Sequence, residues 1–169
     1  MSLFRLFFVL TIFLFLSCNN SNEINKPNIV LFMVDDLGWQ DTSVSFWKNE
    51  TKFNRLYNTP NMEILANMGV KFTNAYATPV CSPSRISLMT GMNAAKHRVT
   101  NWTLNPNKKK PAEINHKNFE FPDWNYNGLS TLDSISNTIY STPLPQILKD
   151  NGYYTIHAGK AHLGAIGYP

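Results

Sequence analysis

Short apolar runs alternate along this chain with polar boundaries marked by proline and glycine. Asn28-Ile29-Val30-Leu31-Phe32-Met33-Val34 is almost continuously apolar and rich in β-branched residues. Its length and abrupt ends predict a strand buried on both faces, as in a parallel sheet. Thr59-Pro60 opens a segment in which Met62, Leu65 and Ala66 share one helical face and Gly69 supplies a stop. A helix is therefore predicted from Pro60, capped by Thr59. Val70 to Tyr76 alternates with a period of two and predicts a second strand. After Cys81, Ser82 suits a cap and Pro83 a first helical position, predicting a second helix. Thr142-Pro143 repeats the same start for Leu144 to Lys149, and Tyr153 to Ala158 predicts the next strand. Ser43 to Asn58 lacks a clear period and predicts a loop with a short helix. Asn101 to Thr142 predicts a long loop of the kind that shapes access to a site. Helix followed by strand, twice over, points to an α/β fold built on βαβ units with a mostly parallel central sheet flanked by helices.

The first residues follow a different logic. Met1 to Arg5 is short and positively charged, Leu6 to Leu16 is apolar except for Thr11, and Ser17-Cys18 leads into Asn19-Asn20-Ser21-Asn22. The apolar run is too short to span a bilayer comfortably and has the shape of a secretory signal. Ser17 before Cys18 resembles a bacterial lipobox, with Phe15 where leucine is usual. On that reading residues 1–17 are the signal, Cys18 is lipidated, 18–26 is a linker, and folding begins with 27–169. The expected location is the periplasm or the outer membrane, as a lipoprotein whose lipid is its only membrane contact. Simple cleavage and a retained anchor are the alternatives.

Composition narrows the function classes. The chain has 169 residues, 43% of them hydrophobic, enough for one domain of ordinary size. Its formal charge of +4 comes partly from the local run Lys108-Lys109-Lys110, a solvated loop rather than a nucleic-acid footprint, so no nucleic-acid partner is expected. The two cysteines lie far apart in sequence, which excludes a disulfide framework and a cysteine-rich zinc site.

Three clusters carry candidate chemistry. In Cys81-Ser82-Pro83-Ser84-Arg85 the thiol sits at the positive end of a helix dipole, and Arg85 follows one turn later, giving a nucleophile beside an anion clamp. Asp35 and Asp36 follow the first strand; adjacent carboxylates repel unless a cation neutralises them, and hard divalent ions prefer oxygen ligands. An ordinary polar turn at Gly38 is the equal alternative. Lys160 and His162 lie two apart after the last strand, so an extended backbone puts both on one side. Lysine offers a point charge for an anion, and histidine a proton. His97 and Arg98 could line the rim of the same site, although a solvated turn is the favoured reading for each by itself.

The Cys-x-Pro-x-Arg run with its following Thr90-Gly91, the Asp35-Asp36 pair and the Gly159-Lys160-Ala161-His162-Leu163-Gly164 run resemble, in that order, the motifs of the sulfatase family. So does Thr59-Pro60-Asn61 through Tyr76, just upstream of the cysteine. Ala161 stands where an aromatic residue is common. The resemblance implies an alkaline-phosphatase-like α/β domain that hydrolyses sulfate esters of a sulfated glycan or small molecule. It implies that Cys81 is oxidised to formylglycine by a formylglycine-generating or anaerobic maturation enzyme. It also implies that Asp35, Asp36 and the modified Cys81 hold one calcium ion, and that Arg85 steadies the modified residue. Lys160 would bind sulfate, and His162 would contact the hydrated aldehyde and help release the product. Family members continue past the Lys-x-His motif to further calcium and sulfate ligands. Ending at Pro169, the chain is expected to be an N-terminal fragment, inactive or very weak by itself. A phosphonate or phosphate monoester hydrolase, or a lipid-anchored binding protein without catalysis, are the alternatives.

Overall fold

The structure is a computed structural model that describes residues 26–109, 117–120 and 124–165. The signal, the lipobox and Cys18 lie outside the described residues. The chain divides after Met33 into two units. In the first, residues 26–33 form no regular element, and Val30 and Phe32 are 88% and 86% exposed. The strand expected over Asn28–Val34 is therefore not formed. A strand exists only through pairing, and among the described residues none pairs with this run.

The second unit is α/β. A 3-10 turn at Asn54–Leu56 precedes α1 (Pro60–Met68), α2 (Cys81–Thr90) and the short α3 (Ala94–His97). Then come β1 (Gly128–Ser130), β2 (Thr138–Tyr140) and α4 (Leu144–Asp150). None of the described helices is long and apolar enough to cross a membrane.

The sheet lies where the sequence predicts loop. β1 and β2 run parallel, pairing Gly128 with Thr138, Leu129 with Ile139 and Ser130 with Tyr140. The strands expected at Val70–Tyr76 and Tyr153–Ala158 do not form, because among the described residues neither has a neighbour to complete a ladder. The three predicted helices all form, with altered starts. Val80, not Ser82, is the N-cap of α2, which makes Cys81 its first residue. Thr59 caps α1 without a side-chain bond, since its hydroxyl is engaged by Ser43, and Pro143 is the N-cap of α4. Two expected apolar faces are only half covered. Leu65 on α1 is 71% exposed and Ile147 on α4 is 48% exposed, while Met62, Ala66, Leu144 and Leu148 are half-buried.

The core is small and lies beneath α2. Ile86, Val99 and Leu129 are buried together, with Met89, Ile139 and Leu163 packed around them. Burying each such aliphatic side chain contributes about 1.5–3 kcal/mol, so this cluster joins α2, both strands and the segment after Lys160. That last segment is brought in by backbone contact. Leu129 N–H donates to the Leu163 carbonyl at 2.8 Å, Ala165 N–H donates to the Asn127 carbonyl at 3.0 Å, and Gly128 and Gly164 form an antiparallel bridge. Gly128 has φ +90°, and a Cβ there would lie 2.3 Å from the Leu163 carbonyl oxygen.

Below α2, His97 is fully buried and serves as a fastener, not as part of an active-site rim. Its Nδ1 accepts from Val99 N–H at 3.1 Å, and its Nε2 meets the Ser87 hydroxyl at 2.9 Å. Burial holds its pKa below the usual imidazole value.

Gly128→Ala is expected to destabilise the protein by about 2–4 kcal/mol, because the side chain requires both a disfavoured φ and displacement of the Leu163 backbone. Urea denaturation measures the loss, and amide exchange at Leu129 and Ala165 reports whether the 163–165 segment has detached.

Candidate functional site

The first turn of α2 places Cys81 half-exposed, at a helix start that no side chain caps. The approach to the helix is fixed by Ser84. Its hydroxyl accepts from Thr78 N–H at 3.1 Å and meets the Thr78 hydroxyl at 2.6 Å. Ser82, freed from capping, is buried against Thr103, with the two hydroxyls 3.1 Å apart.

Arg85 lies one turn after Cys81 and points to the same cluster through other groups. Its Nη2 donates to Asp35 Oδ1 at 2.9 Å, and its Nη1 donates to the Lys160 carbonyl at 2.5 Å. Lys160 Nζ in turn donates to Asp35 Oδ2 at 2.6 Å and lies 3.4 Å from Cys81 Sγ. Both oxygens of Asp35 thus carry a cation, one from α2 and one from the 160 segment. The Lys160 ammonium, followed by the Arg85 guanidinium, holds the Asp35 carboxyl at about 2, below its ordinary 3.8. The same bond to Asp35 raises the Lys160 pKa.

Asp36 completes the cluster from the other side. Its Oδ1 is 4.0 Å from Cys81 Sγ, and its backbone takes φ +58°, a left-handed conformation that aspartate tolerates better than most residues. One ligand atom each from Asp35, Asp36 and Cys81 falls within 4.8 Å of the others. Two carboxylates so close suit a hard cation; a thiol does not, whereas an oxygen function at the Cys81 position would. The two carboxylates therefore fit a hard divalent cation, and an oxygen at position 81 would extend the set.

His162 enters the cluster differently from the expectation of an extended pair with Lys160. It has φ +49°, so the two side chains do not follow strand geometry. Both imidazole nitrogens are buried without a hydrogen-bond partner among the described residues. Burial, then the charges of Lys160 and Arg85, keep its pKa below the ordinary value. A buried imidazole without partners is costly, and it fits a polar group that the chain itself does not supply.

The six residues Asp35, Asp36, Cys81, Arg85, Lys160 and His162 belong to this unit. Contacts join the first three with Arg85 and Lys160, and His162 adjoins them through the charges of Lys160 and Arg85. The sequence reading missed the residues that deliver the Lys160 segment. Gly128 makes the close approach, and the buried Asn127 ties it down, accepting from Asn107 N–H at 2.7 Å and donating to the Ser136 carbonyl at 2.9 Å. The Asn-Gly dipeptide was the available signal, since it marks a backbone turn inside an otherwise aperiodic stretch.

Comparison with known proteins gives one family. The model of the family described as "Sulfatase" matches residues 27–168. The chain is similar to an uncharacterized sulfatase of Schizosaccharomyces pombe, 31% identical over 146 residues that cover 86% of this chain and 22% of that protein. It is 34% identical to the steryl-sulfatase of Homo sapiens over 145 residues, covering 85% of this chain and 20% of the relative. The N-acetylgalactosamine-6-sulfatase of Homo sapiens is 32% identical over 148 residues, with 85% and 23% covered. The chain thus spans between a fifth and a quarter of these relatives.

In the metal-free chain, Lys160→Met is expected to raise the Asp35 titration midpoint from about 2 toward 3.8, with Arg85 left as its charge partner among the described residues. A ¹³C-detected NMR titration of the Asp35 carboxyl measures the change.

Proposed function

Because the chain belongs to the sulfatase family, we propose that its Cys81 cluster is part of the active site of a sulfuric ester hydrolase acting on sulfated glycans. The observation that carries this reading is the convergence of Asp35, Cys81, Arg85 and Lys160 from three segments distant in sequence. Chemistry that needs an anion held beside a nucleophile requires such a meeting of cations. The glycan class is supported by one relative named for an N-acetylgalactosamine sulfate.

Each residue has a role on this reading. Asp35 and Asp36 would hold a calcium ion together with the oxygen function derived from Cys81. Arg85 fixes Asp35 and the Lys160 backbone in one fork. Lys160, whose ammonium already reaches Cys81 Sγ, donates to a sulfate oxygen. His162, whose pKa burial and then the charges of Lys160 and Arg85 lower, would accept and return a proton at an imidazole nitrogen. Formylglycine at Cys81 supplies an oxygen nucleophile when hydrated, and calcium supplies Lewis acidity toward the sulfate oxygens. Among the described residues the cluster offers two carboxylates and one further oxygen against the roughly six to eight ligands calcium takes, so the chain by itself is proposed to be inactive or very weak. Export as a lipoprotein through Cys18, and maturation by a formylglycine-generating or anaerobic enzyme, belong to the same proposal.

Mass spectrometry of the tryptic peptide containing Cys81 tests the central step. Expression with a maturation enzyme is expected to yield a peptide in which sulfur has been exchanged for oxygen and two hydrogens lost. An unmodified thiol in a competent host would turn the reading toward a binding protein without catalysis. For the metal, calcium is expected to raise the melting temperature of the matured chain, and Asp36→Asn to remove most of that rise. Thermal scans with and without a chelator check this, and equal shifts in both chains would sink the assignment of Asp36.

A further inference from the structure

The Lys160 ammonium stands where a metal ion on this cluster would need to be. It donates to Asp35 Oδ2 at 2.6 Å and lies 3.4 Å from Cys81 Sγ, bridging a carboxylate and the side chain at position 81. The same two residues, with Asp36, form the group whose ligand atoms lie within 4.8 Å of one another. A divalent ion joining Asp35 to position 81 therefore enters the gap that the ammonium spans. Two cations so close repel, and a carboxylate shared between them serves neither at full strength. The second oxygen of Asp35 gives no relief, since Oδ1 already accepts from Arg85 Nη2 at 2.9 Å.

The two cations on Asp35 differ in their freedom to leave. The Arg85 side chain is only 10% exposed, and its Nη1 is held by the Lys160 carbonyl. Drawing it away would strand a buried guanidinium. The Lys160 side chain is 43% exposed, and its flexible stem can swing the ammonium into water. The Lys160 backbone stays in place when that happens. Arg85 fixes its carbonyl, and the following Leu163, Gly164 and Ala165 are bonded to Asn127 and β1. Solvent screening keeps an ion pair this exposed weak, so an ion of twice the charge, drawn also by Asp36, competes for Asp35 on favourable terms.

We propose that Lys160 is an exchangeable internal cation, paired with Asp35 in the metal-free chain and displaced from it by a divalent ion while Arg85 stays. The ion's place rests on the calcium reading above, to which the exchange adds an order of events. While it is paired with Asp35 the ammonium is neutralised; once released, it donates to an anion at position 81. Metal loading therefore precedes strong anion binding by Lys160.

Calorimetric titration of the full chain with calcium tests the exchange, on a Cys81→Ser background that gives position 81 an oxygen without maturation. Lys160→Gln removes the competing ammonium and is expected to tighten calcium binding at least about fivefold. Lys71→Gln removes a cation held by the Ser45 carbonyl and the Phe46 ring, and is expected to leave the affinity unchanged. Nitrogen-15 relaxation of the Lys160 ammonium reads the release directly in the chain that keeps Lys160, so the test stands even if Lys160→Gln folds poorly. The ammonium is expected to be rigid without calcium and mobile with it. Unchanged or weaker calcium affinity in a folded Lys160→Gln chain, or an ammonium still rigid with calcium bound, overturns the exchange and leaves the metal assignment standing. An equal gain in Lys71→Gln also overturns it, since net charge would then explain both. Absence of calcium binding in every chain overturns the exchange together with the assignment of the metal to Asp35 and Asp36. The mass of the Cys81 peptide reports maturation independently of all these outcomes.

Discussion

Asp35 stands between two cations, and much of the unit is arranged to keep it there. Arg85 is only 10% exposed in its side chain, and a guanidinium so nearly buried must be matched by acceptors in place. It finds them in one oxygen of Asp35 and in the backbone of Lys160, whose ammonium takes the other oxygen. Asp35 and Lys160 are each about 40% exposed, so solvent screens their attraction and the junction is worth more as geometry than as stability. Its effect is to bring α2, the turn at Asp35-Asp36 and the 160 segment to one point, with Cys81 Sγ at the edge.

The junction holds only because the pieces beneath it are fixed. Ile86 and Leu129 seat α2 on β1, and the backbone of residues 163–165 runs against β1 through the approach of Gly128 to Gly164. Ser82 and Ser87 tie the same helix to the segment that follows it through Thr103 and His97. One helix of ten residues thus carries the candidate nucleophile, the buried cation and the hydroxyls that fasten the segment after it.

The sequence shows the site more clearly than the fold. Cys81, Arg85, Asp35 and Asp36 are legible because charge and helix periodicity act over a few residues, and proline marks helix starts wherever it falls. The helices at Pro60, Cys81 and Leu144 were therefore found. Strands are not legible in the same way, since Val70–Tyr76 alternates correctly yet lacks a partner among the described residues, while Gly128–Ser130 has no pattern and pairs. Pairing is decided by distant segments, which a local period does not contain. His97 was misjudged for a similar reason. Its burial is set by Ser87 and Val99 and by the packing around them, none of which its neighbours in sequence disclose.

The buried imidazole of His97 and the carboxylate of Asp35 respond to acid in opposite order. Burial keeps the His97 pKa below its unfolded value near 6.5, so protons favour the unfolded chain as pH falls through and below that value. Asp35 titrates at about 2 in the folded chain against 3.8 ordinarily, so what its ion pairs contribute is present above 3.8 and disappears only as pH falls toward 2. Acid therefore loosens the floor of α2 while the charges above it are still paired. It reaches the buried imidazoles of His97 and His162 before it reaches the ion pairs of Asp35.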